Sequence, residues 1–300
     1  MINQNSPLFL AMRRFRRHRL AIFSCCVLLS MIVLVISAPL FEIWLGVSAN
    51  QVDLYSRMVG SSLQHPLGTD ELGRDVFLRL LYGGRISLFT GLTAACFAAS
   101  IGTVIGLSAG YFGGRLDALL MRLTDSVIAL PLLPLLIVLA AIDLNKIGLP
   151  EAIVQSEDVS FYRIVLIVAL TGWTTVARLV RGATLSLKER EFVMAARGIG
   201  ASDRHIMFRH ILPNLLSPII VAVTLSVGSV ILLESVLSFL GLGIQPPMAS
   251  WGNMLTNAQQ LIWEAPLLAV YPGLLIFITV ISFNFLGDGL QDAFDPKAEY

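Results

Sequence analysis

Six long apolar runs organise this chain, at residues 20–40, 87–112, 118–142, 163–180, 214–240 and 267–287. Each is near the ~20 residues that a helix needs to cross a bilayer core. A helix also satisfies its own backbone N–H and C=O groups where no water can. The expected fold is therefore an all-α polytopic membrane protein of about six transmembrane helices. Composition agrees: 56% of residues are hydrophobic and 14% charged, against about 25% charged in soluble domains. Cys25, Cys26 and Cys96 lie inside apolar runs, as small hydrophobes rather than disulfide or metal partners.

The charged residues between the runs orient them. Residues 1–19 end in RRFRRHR, five arginines in seven positions before the first run, which read as a cytoplasmic anchor rather than a nucleic-acid arm. The run that follows is long for a cleaved signal core and is expected to be retained. With the N-terminus inside, segments 1–19, 113–117, 181–213 and 288–300 carry 13 Lys and Arg, and segments 41–86, 143–162 and 241–266 carry 5. That bias places both termini and the 181–213 loop in the cytoplasm. The expected layout is a basic N-terminus (1–19), a first span (20–40), a periplasmic loop (41–86), a core transmembrane domain (87–287) with a docking loop at 188–213, and a cytoplasmic tail (288–300). The second run is rich in small residues, among them Gly91, Gly102 and Gly106, which allow close helix packing in lipid. Pro131 and Pro134 predict a kink in the third.

The longest charged, glycine-broken stretch is EFVMAARGIGASDRHIMFRHILP, Glu191 to Pro213. Phe192, Ala195, Ala196 and Ile199 fall at i, i+3, i+4 and i+7, one apolar face of a short helix. Gly198 and Gly200 break it. Ser202 is the expected N-cap of a second short helix, on which Ile206, Met207, His210 and Ile211 share a side. Pro213 stops that helix or opens the next element. Two readings are open: an amphipathic segment on the membrane surface, or a docking element whose small alanines admit a close partner.

Ala195, Ala196, Gly200, Leu212 and Pro213 resemble the EAA motif of ATP-binding-cassette importer permeases. In that family the loop is a coupling helix seated on a cytoplasmic ATPase. The chain departs from the motif at Met194, where the family has glutamate; Glu191 lies one turn earlier on a similar face. The resemblance implies that Glu191, Ala195, Ala196, Gly200, Ile211, Leu212 and Pro213 form the ATPase-coupling surface. The segment HPLGTDELGRD, from His65 to Asp75, is similar to a signature of the C-type subunits in the dipeptide and oligopeptide branch. Read from its residues alone, Thr69-Asp70-Glu71 is a helix start, Gly83-Gly84 a stop, and Val76, Leu80 and Leu81 an apolar face. His65, Asp70, Glu71 and Asp75 make a weak metal set, because acidic residues commonly cap helices. Ser235–Leu255, with its Gly-Pro turn, is expected to be re-entrant or interfacial with Trp251 as an aromatic anchor, and it resembles the same branch.

The resemblance covers nearly the whole chain. It implies a type I importer permease in the bacterial inner membrane, with coupling helices between the fourth and fifth spans. A second homologous permease, two cytoplasmic ATPase subunits and a periplasmic or lipid-anchored solute-binding protein would be its partners, with no nucleic acid. ATP and magnesium would be held by the ATPases and no cofactor by this chain, which has no GxxxxGK[ST], HExxH, CxxC or GxSxG. Short peptides are the implied substrate, with glutathione, nickel chelates and oligosaccharides as alternatives of the same branch. An ion-coupled secondary transporter and a membrane scaffold are the rival classes.

Ionisable residues within apolar runs are costly and mark function or pairing. Arg122 and Asp125, at i and i+3, are expected to pair with each other. Glu234 has three roles open to it: lining a path, contacting a partner helix, or sitting near the outer mouth. Asn284 is expected to make an interhelical hydrogen bond.

Overall fold

The computed structural model describes residues 7–148, 150–154, 156, 158–256 and 258–294. These are largely helical, with no strand among them. A short helix, Pro7–Phe15 (α1), precedes Arg19–Ile36 (α2), which His18 opens by accepting from the Ala21 N–H at 3.1 Å. The 20–40 run bends at Ser37 into a second short helix, Ala38–Leu45 (α3), with Pro39 in its first turn.

The outer turn and the long helix after it differ from expectation. Asp75, rather than Thr69-Asp70-Glu71, caps the helix Val76–Phe112 (α4) by accepting from Leu78 N–H at 2.7 Å. The other Asp75 oxygen lies 2.9 Å from His65 Nδ1, and Asp70 turns to Arg74 at 2.7 Å. Helix α4 spans 37 residues and runs straight through Gly83-Gly84. Those glycines do not end it because they are packed under residues 250–251: a Cβ on Gly84 would meet the Trp251 ring at 2.7 Å. Packing thus outweighs the ~1 kcal/mol helix penalty of each glycine. Trp251 is therefore no interfacial anchor. It is 1% exposed, and its indole N–H donates to the Leu80 carbonyl at 2.9 Å.

The third run is broken rather than kinked. Gly114–Ala129 (α5) and Leu132–Ala140 (α6) meet at 85°, with Leu130 and Pro131 extended between them. A proline disfavours helix at the residue before it, so the chain turns there. Glu151–Val154 (α7) leads to Val159–Leu187 (α8) and then Glu191–Gly198 (α9). Asp203–His205 (α10) passes through π turns at Ile206–Ile211 into Leu212–Phe239 (α11). Ala258–Leu261 (α12) and Leu267–Phe294 (α13) complete the described chain. Among the described residues, five helices, or six if α5 and α6 count as one broken span, are long and apolar enough to cross a membrane.

Close backbone approach sets the packing of α4 on α8. A Cβ added at Gly106 would lie within 2.4 Å of the Ala177 carbonyl oxygen, so only glycine lets the two helices meet there. Gly102 approaches Trp173 in the same way, and the increasing order of both contacts makes the helices parallel. Helix α11 returns antiparallel, with Val227 and Ile231 against Gly91. Helix α13 packs beside α11, and α2 beside α13, where Thr279 meets Met31 at 3.4 Å and Gly289 meets Ala21. These registers gather residues 16–19, 112–117, 187–212 and 289–294 at one end of the bundle. The described residues of segments 37–75, 141–158 and 240–266 gather at the other.

Candidate functional site

At the first of these ends, α9 is held against the bundle by one edge. Val193 and Ala196 are buried, alongside Leu107, Tyr111, Val176, Val180, Ile206 and Ile211. Phe192 (43% exposed), Met194 (51%), Ala195 and Ile199 (87%) face outward. The apolar face expected from spacing is thus split. Ala196 belongs to the packing edge with Val193, and the remainder of that face is left open.

The bend after α9 is closed by its own backbone. Gly200 has φ +83°, and no atom lies within 4 Å of where its Cβ would be, so the demand for glycine is conformational. Gly200 N–H donates to Arg197 O at 3.0 Å and Ala201 N–H to Ala196 O at 3.0 Å. This paired 5→2 and 6→1 closure is the Schellman motif, with the two alanines in contact across it. Ser202 caps the next helix as expected, accepting from His205 N–H at 3.4 Å. Tyr111, at the end of α4, donates its hydroxyl to Asp203 at 2.6 Å, and Arg197 lies over its ring at 5.9 Å. The loop is therefore tied to α4 from both of its short helices.

Pro213 neither stops a helix nor starts a separate one. Leu212 N–H reaches back five residues to Met207 O, and the wider π turn relieves the ring clash that proline makes with an α turn. Asn214 Nδ2 donates to the His210 carbonyl at 2.6 Å, supplementing the disturbed ladder. Ile211 is buried, Leu212 half-buried and Pro213 exposed. Glu191 is exposed, with no hydrogen bond or ion pair among the described residues, on the same open side as Met194.

The intramembrane polar residues are partnered differently from expectation. Asp125 does not pair with Arg122; it meets Arg178 of α8 at 2.5 Å, and Arg122 is exposed. A second pair, Arg181 Nη2 to Asp117 at 2.6 Å, also joins α8 to α5. The sequence signal for these contacts is opposite charge alone, acids on α5 and arginines on α8, and it becomes visible only once α5 and α8 are known to be neighbours. Asn284 makes no interhelical hydrogen bond among the described residues and lies exposed beside Gly228.

Glu234 is fully buried inside the bundle. Ser238 donates to it at 2.7 Å and Ser87 of α4 at 3.3 Å. Both serines accept in turn from the segment that follows α11: Trp251 N–H to Ser87 Oγ at 3.1 Å and Ile244 N–H to Ser238 Oγ at 3.0 Å. It thus contacts a neighbouring helix, α4, close to the end of α11 where the 244–251 segment is fastened through the same serines.

Between α4, α5, α6, α8 and α11 lies an open groove of about 570 Å³. Its lining is apolar with hydroxyls from Thr171, Thr174, Thr175, Ser226 and Ser229, and no ionisable side chain lines it.

A family model described as the inner membrane component of binding-protein-dependent transport systems matches residues 102–300. The chain belongs to this family, the permeases of ATP-binding-cassette importers. The permease also matches, over residues 6–51, the N-terminal transmembrane domain of oligopeptide transport permease C. It is 41% identical to a putative peptide permease protein of Brucella suis biovar 1, over 98% of this chain and 92% of that one. It is 40% identical to the dipeptide transport system permease protein DppC of Alkalihalophilus pseudofirmus, covering 97% and 90%. It is 43% identical to the glutathione transport system permease protein GsiD of Escherichia coli O6:K15:H31, covering 95% and 89%. In fold it is similar to a chain of the MetNI methionine ABC transporter in an inward-facing conformation. That match has a TM-score of 0.57 at 17% identity, over 72% of this permease and 96% of that chain. ATPase and solute-binding protein partners belong to this family in general, and the family is one of transport permeases, not known as enzymes.

Proposed function

We propose that this permease forms half of the path by which short peptides enter a bacterial cell across the inner membrane. Relatives named for peptide, dipeptide and glutathione transport support the class; glutathione is itself a tripeptide. The hydroxyl-lined, charge-free groove is this subunit's wall of the path, and a second homologous permease supplies the facing wall. A solute-binding protein delivers substrate at the 37–75 and 240–266 end. Two ATPase subunits bind at the other end and hold the ATP and magnesium. The distribution of 13 against 5 basic residues favours a cytoplasmic location for that end and for both termini.

One observation carries the coupling role: α9 is fastened along one edge while Phe192, Met194, Ala195 and Ile199 stand open on the other. A short apolar face on a rigidly closed helix matches what a groove-binding partner takes up. When the ATPases close, they move α9, and the ties through Tyr111 and the π turn pass that motion to α4 and α11. The spans then swing between inward-open and outward-open states. Glu191 is the acidic group at this surface, with Met194 filling the place of the family's glutamate.

A photocrosslinker at Ala195 in native membranes tests this reading. The expected catch is a soluble ATPase, absent when its gene is deleted. Lipid adducts alone would overturn the docking role in favour of a membrane-surface segment. An ion-coupled mechanism has no carboxylate in the groove to use, since Glu234 is sequestered among serines.

A further inference from the structure

Beyond the groove, at the end away from the 191–213 loop, lies a second cavity of about 480 Å³. That volume is within the usual range for small-molecule sites. Its wall comes from Ala141–Leu144 just past α6, the first turns of α8, and Gln245–Pro247. Helices α6 and α8 also border the groove, so the two cavities share one flank. From Arg163 to Thr171 is eight residues, or about 12 Å along α8. Arg163 therefore lies on the same helix as the groove wall, about two turns nearer the end away from the 191–213 loop.

Arg163 lines the cavity, and its buried Nε has no hydrogen-bond partner among the described residues. A guanidinium does not give up its proton at physiological pH. The side chain is only half-buried, but a buried guanidinium N–H left without an acceptor is costly, so such a group is kept where an acceptor will come to meet it. Among the described residues, polar groups on the same lining have contacts of their own: Ser160 Oγ accepts from Gln245 N–H at 3.3 Å, and Asp143 and Ser156 are each engaged elsewhere. Carboxylates match the guanidinium fork with two parallel hydrogen bonds. Every unmodified peptide carries one at its C-terminus.

We propose that Arg163 receives the C-terminal carboxylate of the transported peptide at the mouth of the path, before the peptide enters the charge-free groove. This rests on the peptide-import reading above. It makes Arg163 a substrate-binding residue, with the hydroxyls farther along α8 serving the peptide backbone.

The test uses the full transporter with its partner subunits, carrying Arg163→Cys in a background where Cys25, Cys26 and Cys96 are serine. Uptake of labelled dialanine is measured, alongside its C-terminal amide. Dialanine uptake is expected to fall at least tenfold while ATPase activity stays within twofold of the parent, which shows that the complex has assembled. Aminoethyl methanethiosulfonate, which rebuilds a cation on the cysteine, should restore most of the uptake, and the neutral methyl reagent should not. Amide uptake should be little changed. Unaltered dialanine uptake, or equal rescue by the neutral reagent, overturns the proposal. An equal fall for the amide also overturns it, since the carboxylate would then belong to the docked binding protein. Should the parent transporter import neither peptide, the peptide reading itself fails; normal import by the parent with an indifferent Arg163→Cys removes the carboxylate site alone.

Discussion

At Gly200 the backbone conformation, rather than packing, dictates the residue. At φ +83° an L side chain is strained by about 1–2 kcal/mol even though the space around it is empty. Gly200→Val is therefore expected to leave the permease in the membrane yet reduce coupled uptake severalfold, with crosslinking from Ala195 weakened in parallel. Gly200→Asn, which tolerates this region better, should retain more of both. Glu234 makes the opposite case, in which partners matter and conformation does not. Glu234→Ala leaves two buried serine hydroxyls without their acceptor, at about 1–3 kcal/mol each. Its thermal stability in detergent should fall clearly, and Glu234→Gln, which keeps an acceptor, should lie near the parent. If alanine and glutamine behave alike, the fastening role is wrong. Sequence alone marked Glu234 as unusual because it interrupts an apolar run. It did not show the serines, since Ser87 lies 147 positions away.

Among the elements, the α4–α8 contact depends on the absence of side chains. Gly106→Leu would insert four carbons where even a Cβ collides with the Ala177 backbone. Overpacking of this kind costs about 1–3 kcal/mol or more, and the variant is expected to show reduced membrane abundance together with a lowered unfolding midpoint. Helix α5 is different. Arg178 is 50% and Asp125 61% exposed, and such pairs contribute at most about 1 kcal/mol. Asp125→Ala should leave abundance unchanged; a large drop would mean that the pair is shielded from water in the assembled transporter. The small residues of α4 were legible as a composition unusually rich in glycine and alanine within one apolar run. The break at Pro131 was legible as a disturbance, but its 85° angle was not, because the direction the chain takes after a proline depends on what it packs against. For the same reason Gly83-Gly84 read as a stop: glycine weakens an isolated helix, and only the Trp251 ring above it explains why the helix continues.

For the whole molecule, the helix registers sort the loops into two groups at opposite ends, which makes orientation testable. Cysteines at Tyr55 and Ile199, both highly exposed, are expected to differ in a cysteine-free background. An impermeant maleimide should label position 55 in intact cells and position 199 only after the membrane is opened. Labelling of both from outside would reverse or break the topology. The order of the spans, the side on which basic residues collect and the motif-bearing loop were all set by the sequence itself, because hydropathy and charge act through local composition over ~20 residues. Tertiary structure decided which edge of α9 is buried and which is left for a partner. It turned Asp125 to Arg178 instead of Arg122, and it placed Trp251 in the core and Arg163 on a cavity. Each of those depends on residues distant in the chain meeting across helices, and a periodic pattern along one helix carries no information about what lies opposite it.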